Sequence, residues 1–196
     1  MQRLHEEDRV LGNLVRAVSR LRACPEFARL MPEVRVNLVY ALPDAKTVQD
    51  VAAIEGRITA VRGVPHASGM PEFGASDHMA RLILQVRNSR PEIRAGINFK
   101  CDAGIIEVVR AYCAEKGYTF GAIDRAAEPP DVARIDGSSM PWKIAHLIER
   151  CGAVPRLFYE GEGWGKEPLF VAIGRDAVEV AEIAIDIARR YEGPSV

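Results

Sequence analysis

Residues 73–78, with the sequence Phe-Gly-Ala-Ser-Asp-His, place three chemically active side chains in succession: Ser76, Asp77 and His78. An amphipathic pattern over residues 79–88 predicts that a helix follows directly. The first turn of a helix offers unpaired backbone N–H groups and the positive end of the helix dipole, and both favour an anion. The segment therefore predicts a phosphate site. The alternative is structural, with Ser76 as an N-cap and Asp77 as an ordinary first-turn acid.

Arg57 is the second candidate, because it stands in Gly56-Arg57-Ile58 at the start of a predicted strand. A guanidinium suits bidentate binding of phosphate, and an imidazole donates a hydrogen bond or carries a proton near neutral pH. In the alternative interpretation, Arg57 pairs with a surface acid and His78 hydrogen-bonds within its own turn. Spacing alone does not choose between the two. His66 is a weaker candidate for the same edge of the fold.

Two further turns are rich in small residues: Gly137-Ser138-Ser139, and the segment 161–167 that contains Gly165 and Lys166. Their backbone N–H groups could bind phosphate oxygens, but helix capping and an ordinary tight turn are equally good explanations. The second turn is not a P-loop. Glu167 stands where a Ser or Thr is required, and a strand follows instead of a helix.

The elements that must position these residues follow from hydrophobic periodicity and from Gly and Pro punctuation. The pattern predicts helices at residues 6–23, 47–54, 79–88, 102–117, 137–151 and 176–190. It predicts strands at residues 34–42, 56–61, 93–99, 118–123, 154–159 and 168–173. Strands that alternate with helices predict an α/β protein, a three-layer α/β/α arrangement with a mixed sheet, formed by one domain over residues 1–196.

Composition limits the partners and the compartment. The formal net charge of −1 over 196 residues gives no electrostatic basis for binding nucleic acid. No apolar run approaches the length of a membrane span, so no membrane partner is expected. The four cysteines show no C-x-x-C spacing, which favours buried free thiols over a zinc site. We therefore expect a cytoplasmic protein without a protein-built metal site.

Several motifs taken together resemble one family, the ThiN family of thiamine-phosphate synthases, and the resemblance covers nearly the whole chain. It implies an aldolase-II-like three-layer fold and a homodimer. The motifs are Pro25-Glu26-Phe27-Ala28-Arg29-Leu30, Pro32-Glu33-Val34, Asn37-Leu38-Val39-Tyr40-Ala41-Leu42-Pro43, Gly56-Arg57-Ile58, Phe73-Gly74-Ala75-Ser76-Asp77-His78, Gly137-Ser138-Ser139-Met140-Pro141-Trp142 and Gly165-Lys166-Glu167-Pro168.

The reaction that the resemblance implies joins hydroxymethylpyrimidine diphosphate to hydroxyethylthiazole phosphate and gives thiamine monophosphate and diphosphate. Mg²⁺ would be bound mainly through the substrate diphosphate. The resemblance assigns the catalytic roles to Arg57 and His78. Substrate phosphates would then be bound by Ser76, Asp77, Lys100, Ser138, Ser139, Gly165 and Lys166. For Asp77, binding Mg²⁺ and capping the helix both remain open.

The sequence departs from the family pattern after the central predicted strand, where Lys100 keeps a positive charge but no aromatic residue follows. Trp164 is a candidate to stack on a heterocycle instead. No kinase domain is attached, so either a separate hydroxymethylpyrimidine phosphate kinase supplies the substrate or the chain is an excised domain. The alternative function is a non-catalytic thiamine-phosphate sensor or regulatory domain. The short segment before Val34 and the presence of both Arg57 and His78 favour the enzyme.

Overall fold

The computed structural model describes residues 2–129, 132, 139–162 and 167–193. Its α-helices are α1 (Gln2–Arg22), α2 (His78–Arg87), α3 (Ala103–Lys116), α4 (Ser139–Cys151) and α5 (Ala177–Arg190). Its strands are β1 (Leu38–Ala41), β2 (Val51–Ile54), β3 (Ile58–Val61), β4 (Val64–Ala67), β5 (Pro71–Phe73), β6 (Ala95–Lys100), β7 (Phe120–Ile123), β8 (Leu157–Glu160) and β9 (Leu169–Gly174). Short 3₁₀ turns lie at Pro25–Leu30, Val48–Asp50 and Arg125–Ala127.

Seven of these strands form one mixed sheet in the order β5-β2-β1-β6-β9-β8-β7. The pairings are antiparallel except for β7 with β8, which is parallel. Strands β3 and β4 form a separate hairpin. The hairpin closes through Arg62 and Gly63, whose φ values of 52° and 74° are those of a two-residue turn between antiparallel strands. The mixed sheet confirms the predicted fold class.

Helices cover both faces of the sheet. On one face α1, α3 and α5 pack through residues such as Leu14, Val109 and Val180 against the sheet side chains of Ile97 and Phe99. On the other face α2 and α4 pack against a second apolar cluster, which contains Val39, Ile83, Leu147 and Phe158. Because successive strand residues point to opposite faces, β6 gives Phe99 to the first core and Asn98 to the side of α2 and α4. The predicted three layers are confirmed.

Most helix predictions are confirmed within a few residues, but the helix expected at 47–54 is wrong. Thr47 caps only a 3₁₀ turn, and the chain then enters β2, where all four residues are buried. A short apolar run has no periodicity that separates a strand from a helix, and pairing with β1 and β5 on either side decides in favour of the strand. Strand β5 was not predicted, since three residues carry no alternation signal.

All four cysteines are free thiols, and Cys24, Cys101 and Cys113 are buried as predicted, whereas Cys151 is only half-buried. Burial raises the pKa of Cys101 to about 12 and that of Cys113 to about 11, so neither is a ready nucleophile. Among the described residues, no helix has both the length and the apolar character that crossing a membrane requires.

Candidate active site

A pocket of about 320 Å³ opens on the α2/α4 side of the sheet, at the edge where β1 and β9 begin and β6 and β8 end. This volume lies in the range of small-molecule sites. Exposed side chains of Glu33, Arg57 and His78 form its rim, and the buried side chains of Asn98 and Lys143 belong to its walls. The fold thus brings Arg57 and His78 into one cavity, although 20 residues separate them in the sequence.

A wider groove of about 460 Å³ lies beside α2 and is lined by Lys46, Arg81 and Met140. Neither Arg57 nor His78 contributes to it. The guanidinium and the imidazole that the sequence marks as catalytic candidates therefore meet in the smaller pocket.

Arg57 is held at the rim by a hydrogen bond to Val34, which is itself fixed by hydrogen bonds to Glu167. Its Nη1 donates to the carbonyl of Val34 at 2.6 Å. The turn that carries this carbonyl is fixed by Glu167, whose two carboxylate oxygens accept from the backbone N–H groups of Val34 at 2.7 Å and of Glu33 at 3.2 Å. Three of the motifs that suggested the family therefore meet at one point, where they orient a guanidinium toward the cavity.

The backbone at Arg57 is strained, because its φ of 68° lies in the left-handed region that residues with a Cβ seldom adopt. Such a conformation costs on the order of 1–2 kcal/mol. Two hydrogen bonds hold it in place: Arg57 N–H donates to Ile54 O, and Ser68 N–H donates to Arg57 O. Strain of this kind, at a residue on the rim of a cavity, is typical of functional sites.

We expect Gly56→Ala to reduce both stability and activity. Gly56 has a φ of +65°, and an added Cβ would lie 2.9 Å from Ser68 Cβ. Strain and the clash should together lower the free energy of unfolding by about 1–3 kcal/mol and displace the adjoining Arg57. Urea unfolding and product formation measure the two effects. Gly117→Ala is the matched control: its φ is +66°, but nothing lies near its Cβ and the site is distant, so it should lose stability alone.

His78 is the first residue of α2, and its side chain is exposed at the pocket. The N-cap is Asp77 rather than Ser76, yet the Asp77 carboxylate makes no capping bond. It pairs instead with Arg81, with Nε–O distances of 2.8 and 3.0 Å, and is largely exposed. The N-terminus of α2 therefore faces the pocket with His78, while Asp77 is engaged on the outside of the helix.

A buried polar network at the base of the pocket involves Ser76, Asn37 and Asn98. Asn37 Nδ2 donates to Ser76 Oγ at 2.8 Å, and the backbone N–H of Asn37 donates to Asn98 Oδ1. Asn37 Oδ1 has no hydrogen-bond partner in the described part of the chain. The two asparagines line the pocket, so Ser76 acts through them as a support and not as a pocket-lining group.

An ion-pair cluster forms the inner wall next to α4. Glu160 Oε2 accepts from Lys143 Nζ and from Arg125 Nη2, both at 2.5 Å, and the side chains of Glu160 and Lys143 are only 3% and 4% exposed. Burial alone would raise the pKa of Glu160, but the charges of Lys143 and Arg125 outweigh it, with a smaller contribution from His78, and this pKa lies below its usual value. Glu160 is therefore a carboxylate at neutral pH.

The depressed pKa of Glu160 predicts a loss of stability in acid. A carboxyl whose pKa is lower in the folded chain than the ordinary value of about 4.3 stabilises the fold above that pH. This contribution disappears as the pH falls through the folded-state pKa. Urea unfolding between about pH 3 and pH 7 should show a steeper decline for the wild type than for a Glu160→Gln/Lys143→Met variant. Parallel curves for the two proteins would contradict this prediction.

The structure does not bring all of the predicted phosphate ligands to the pocket. Lys100 Nζ lies 3.3 Å from Asp102 Oδ2, and Lys100 does not line the cavity. Ser139 is the first residue of α4 and is not a lining residue either. Ser138, Trp164, Gly165 and Lys166 lie outside the described residues. Arg57 and His78 are the two predicted residues that the described structure places directly at the pocket.

Sequence reasoning missed several residues of the site, and two of them carry a detectable signal: Lys143, which lines the pocket, and its ion-pair partner Glu160, which lies behind it. Lys143 occupies the apolar stripe of α4 formed with Met140, Ile144 and Leu147, a position where a solvated lysine is not expected. Glu160 continues the inward phase of β8 that Phe158 begins. A lysine and a glutamate at core positions of consecutive elements indicate a buried ion pair. For Glu167 and Asn37 the sequence pattern gives no indication of a role in the pocket.

Comparison with known proteins identifies the family of this chain. The family model for "Thiamine-phosphate synthase ThiN" matches residues 13–186. The chain is 39% identical to thiamine-phosphate synthase ThiN of Methanothermobacter thermautotrophicus over 93% of its own length and 94% of that protein. It is also 38% identical to the bifunctional thiamine biosynthesis protein ThiDN of Methanocaldococcus jannaschii, over 94% of this chain but 42% of that longer protein.

Among solved structures, the C-terminal domain of a phosphomethylpyrimidine kinase superposes with a TM-score of 0.87 at 36% identity, covering 93% of this chain and all of that domain. The structural match and the sequence match to the Methanothermobacter protein cover the same share of this chain, 93%. The chain therefore belongs to the ThiN family of thiamine-phosphate synthases.

Proposed function

We propose that this thiamine-phosphate synthase carries out its reaction in the sheet-edge pocket, with Arg57 and His78 as its catalytic residues. The observation that supports the proposal is their convergence on one cavity of about 320 Å³, where Arg57 is held in a strained backbone conformation. The substrates are hydroxymethylpyrimidine diphosphate and hydroxyethylthiazole phosphate, and the products are thiamine monophosphate and diphosphate.

The reaction exchanges one bond for another at the pyrimidine methylene carbon. The C–O bond to diphosphate breaks and its electron pair leaves on the diphosphate oxygen, while the thiazole nitrogen lone pair forms the new C–N bond. The nitrogen becomes the positive centre of the thiazolium, so no oxidant or reductant is needed. Catalysis requires stabilisation of the growing negative charge and in-line placement of the nitrogen.

Arg57 and His78 suit the first requirement. The guanidinium binds the diphosphate in the fork geometry that favours phosphate oxygens, and the imidazole donates a hydrogen bond to the departing group. The N-terminus of α2 adds backbone N–H groups and the positive end of its dipole on the same side. Asn37 Oδ1, which is buried without a partner among the described residues, is an acceptor available to a heterocycle N–H.

We propose that the substrate diphosphate would bind together with Mg²⁺, which would neutralise part of the diphosphate charge. Glu33 would supply a rim carboxylate of the hard-oxygen kind that suits Mg²⁺, whereas both oxygens of Glu167 already accept backbone N–H groups. Asp77 is less suited to this role, because its carboxylate pairs with Arg81.

The proposal is tested by mixing both substrates with Mg²⁺ and the protein and measuring diphosphate and thiamine monophosphate. Stoichiometric appearance of both products supports the enzyme. Tight binding of thiamine monophosphate without turnover would reject it and favour the sensor. Omitting Mg²⁺ in a parallel reaction tests the metal requirement, and a rate unchanged in excess chelator would remove Mg²⁺ from the proposal.

A homodimer, a cytoplasmic location and a single domain over residues 1–196 also belong to the proposal, and they come from the resemblance and the composition. Sedimentation at several protein concentrations tests the dimer. A requirement for a separate hydroxymethylpyrimidine phosphate kinase is tested by supplying the monophosphate with and without such a kinase.

A further inference from the structure

We infer that Lys143 and Arg125 form a second anion-binding element in the pocket wall, specific for a diphosphate group, and that Glu160 is the counter-ion that permits their burial. The inference rests on the proposed function for the identity of the ligand. Its geometry is independent of the predicted residues, because none of the three side chains belongs to the motif positions assigned to catalysis or to substrate binding.

Burial makes this cluster unusual. Lysine is almost never fully buried unless it is paired, and Lys143 is 4% exposed while it still lines the cavity. Arg125, at 11% exposure, lines the same cavity from the turn that follows β7. An apolar pair of similar volume would stabilise the core at least as well as a buried ion pair does. Burial of Lys143 is therefore better explained by a role in the cavity than by a contribution to core stability.

The charge balance of the cluster points to an anion. Two cations share one carboxylate oxygen, Glu160 Oε2, so a single negative charge faces two positive ones. Within the described part of the chain, this cluster therefore leaves one positive charge over on the wall of the cavity. His78 lines the same cavity as Lys143 and Arg125, so the imidazole and the two cations face one bound group.

The hydrogen-bonding capacity of the two cations also exceeds the bonds that Glu160 accepts. An ammonium has three donors and a guanidinium has five. A group that carries several oxygens and more than one negative charge satisfies such donors better than a single carboxylate does, and a diphosphate has both properties. Arg57 on the rim and the Lys143–Arg125 pair on the wall can then contact different oxygens of one extended group.

The test is calorimetric titration of the full chain with inorganic diphosphate, in the wild type and in a Lys143→Met/Glu160→Gln double variant. This double variant replaces the buried pair with neutral side chains of similar shape and leaves the net charge unchanged, because Arg125 alone keeps the one surplus positive charge of the cluster. A loss of affinity therefore reports the missing hydrogen-bond donors of Lys143 and not a change in charge. We expect its affinity to fall roughly ten- to hundred-fold, the usual effect of losing a hydrogen bond to a charged group. Undiminished affinity in a folded variant would overturn the inference.

The matched control is Lys116→Met/Glu115→Gln, which makes the same two substitutions in an exposed pair at the end of α3, with 3.3 Å between Nζ and Oε1. It should bind diphosphate as the wild type does. A parallel loss in this control would show that the effect is not local, and would also overturn the inference.

A second variant keeps the test decisive if the double variant does not fold. Arg125→Gln removes the less buried cation and leaves the Lys143–Glu160 pair intact, so the fold should survive. We expect diphosphate affinity to fall about tenfold. Wild-type affinity in this variant rejects the inference. The synthase assay on the wild type is a separate measurement, so failure of the proposed function can be distinguished from failure of this one.

Discussion

Replacing Arg57 with glycine should abolish most of the synthase activity and leave the protein folded. We expect product formation to fall about 10²–10³-fold, the usual effect of losing a preorganised donor to a developing anion. Stability should change by no more than about 1 kcal/mol, because relief of the left-handed strain offsets the added flexibility of glycine. Steady-state kinetics and urea unfolding measured on the same preparation give both numbers.

A control for Arg57→Gly exists within the chain. Arg62 also has a positive φ, of 52°, but it stands in the β3–β4 turn and does not line the pocket. Arg62→Gly should keep wild-type activity and show the same small change in stability. If Arg57→Gly retained wild-type rates, or if both glycine variants lost activity alike, Arg57 would not have the catalytic role.

Truncation of His78 to alanine should have the second largest effect, also about 10²–10³-fold in turnover. The imidazole is exposed at the first position of α2, so its removal opens no core cavity and should leave the melting temperature nearly unchanged. His78→Gln retains an N–H donor and should recover part of the rate. Single-turnover measurements report the chemical step separately from product release.

His66→Ala is the matched control for His78→Ala. His66 is exposed on β4 and does not line the pocket, although the sequence had allowed it as a weaker candidate for the same edge. Its removal should leave the rate unchanged. Equal losses in the two alanine variants, or none in either, would contradict a specific role for His78.

The parts of the fold that the sequence predicts well are those whose signals are local. Helix α5 was predicted at 176–190 and begins at Ala177 because Asp176 caps it, its side chain accepting from the Glu179 N–H. Helix α3 follows Asp102 for the same reason, and Gly117 ends it at a φ of 66°. In both helices the capping residues stand directly beside the apolar pattern, so a short stretch of sequence is enough to predict the helix and its ends.

The candidate site was predictable only in part, because its geometry depends on contacts between distant segments. The spacing of residue types identified Arg57 and His78 as candidates but did not choose between a ligand and a structural role. The carbonyl of Val34 that orients Arg57 depends on a conformation set by Glu167. The Lys143–Glu160 contact depends on how α4 packs against β8. The hydrophobic periodicity of a single segment does not predict such packing.

The hydrogen bonds that hold Arg57 through Val34 and Glu167 also determine when during folding the site can form. Glu167 and the backbone N–H groups that it binds are separated by 133 and 134 residues in the sequence, so the turn at 33–34 is not fixed until β9 has joined the sheet. Contacts of such separation form late in folding, since a long loop must close before they give any stabilisation. A fragment that ends before Glu167 contains both Arg57 and His78 but lacks the carboxylate that secures this turn. Catalytic competence is thus expected to be acquired last, as a property of the completed chain.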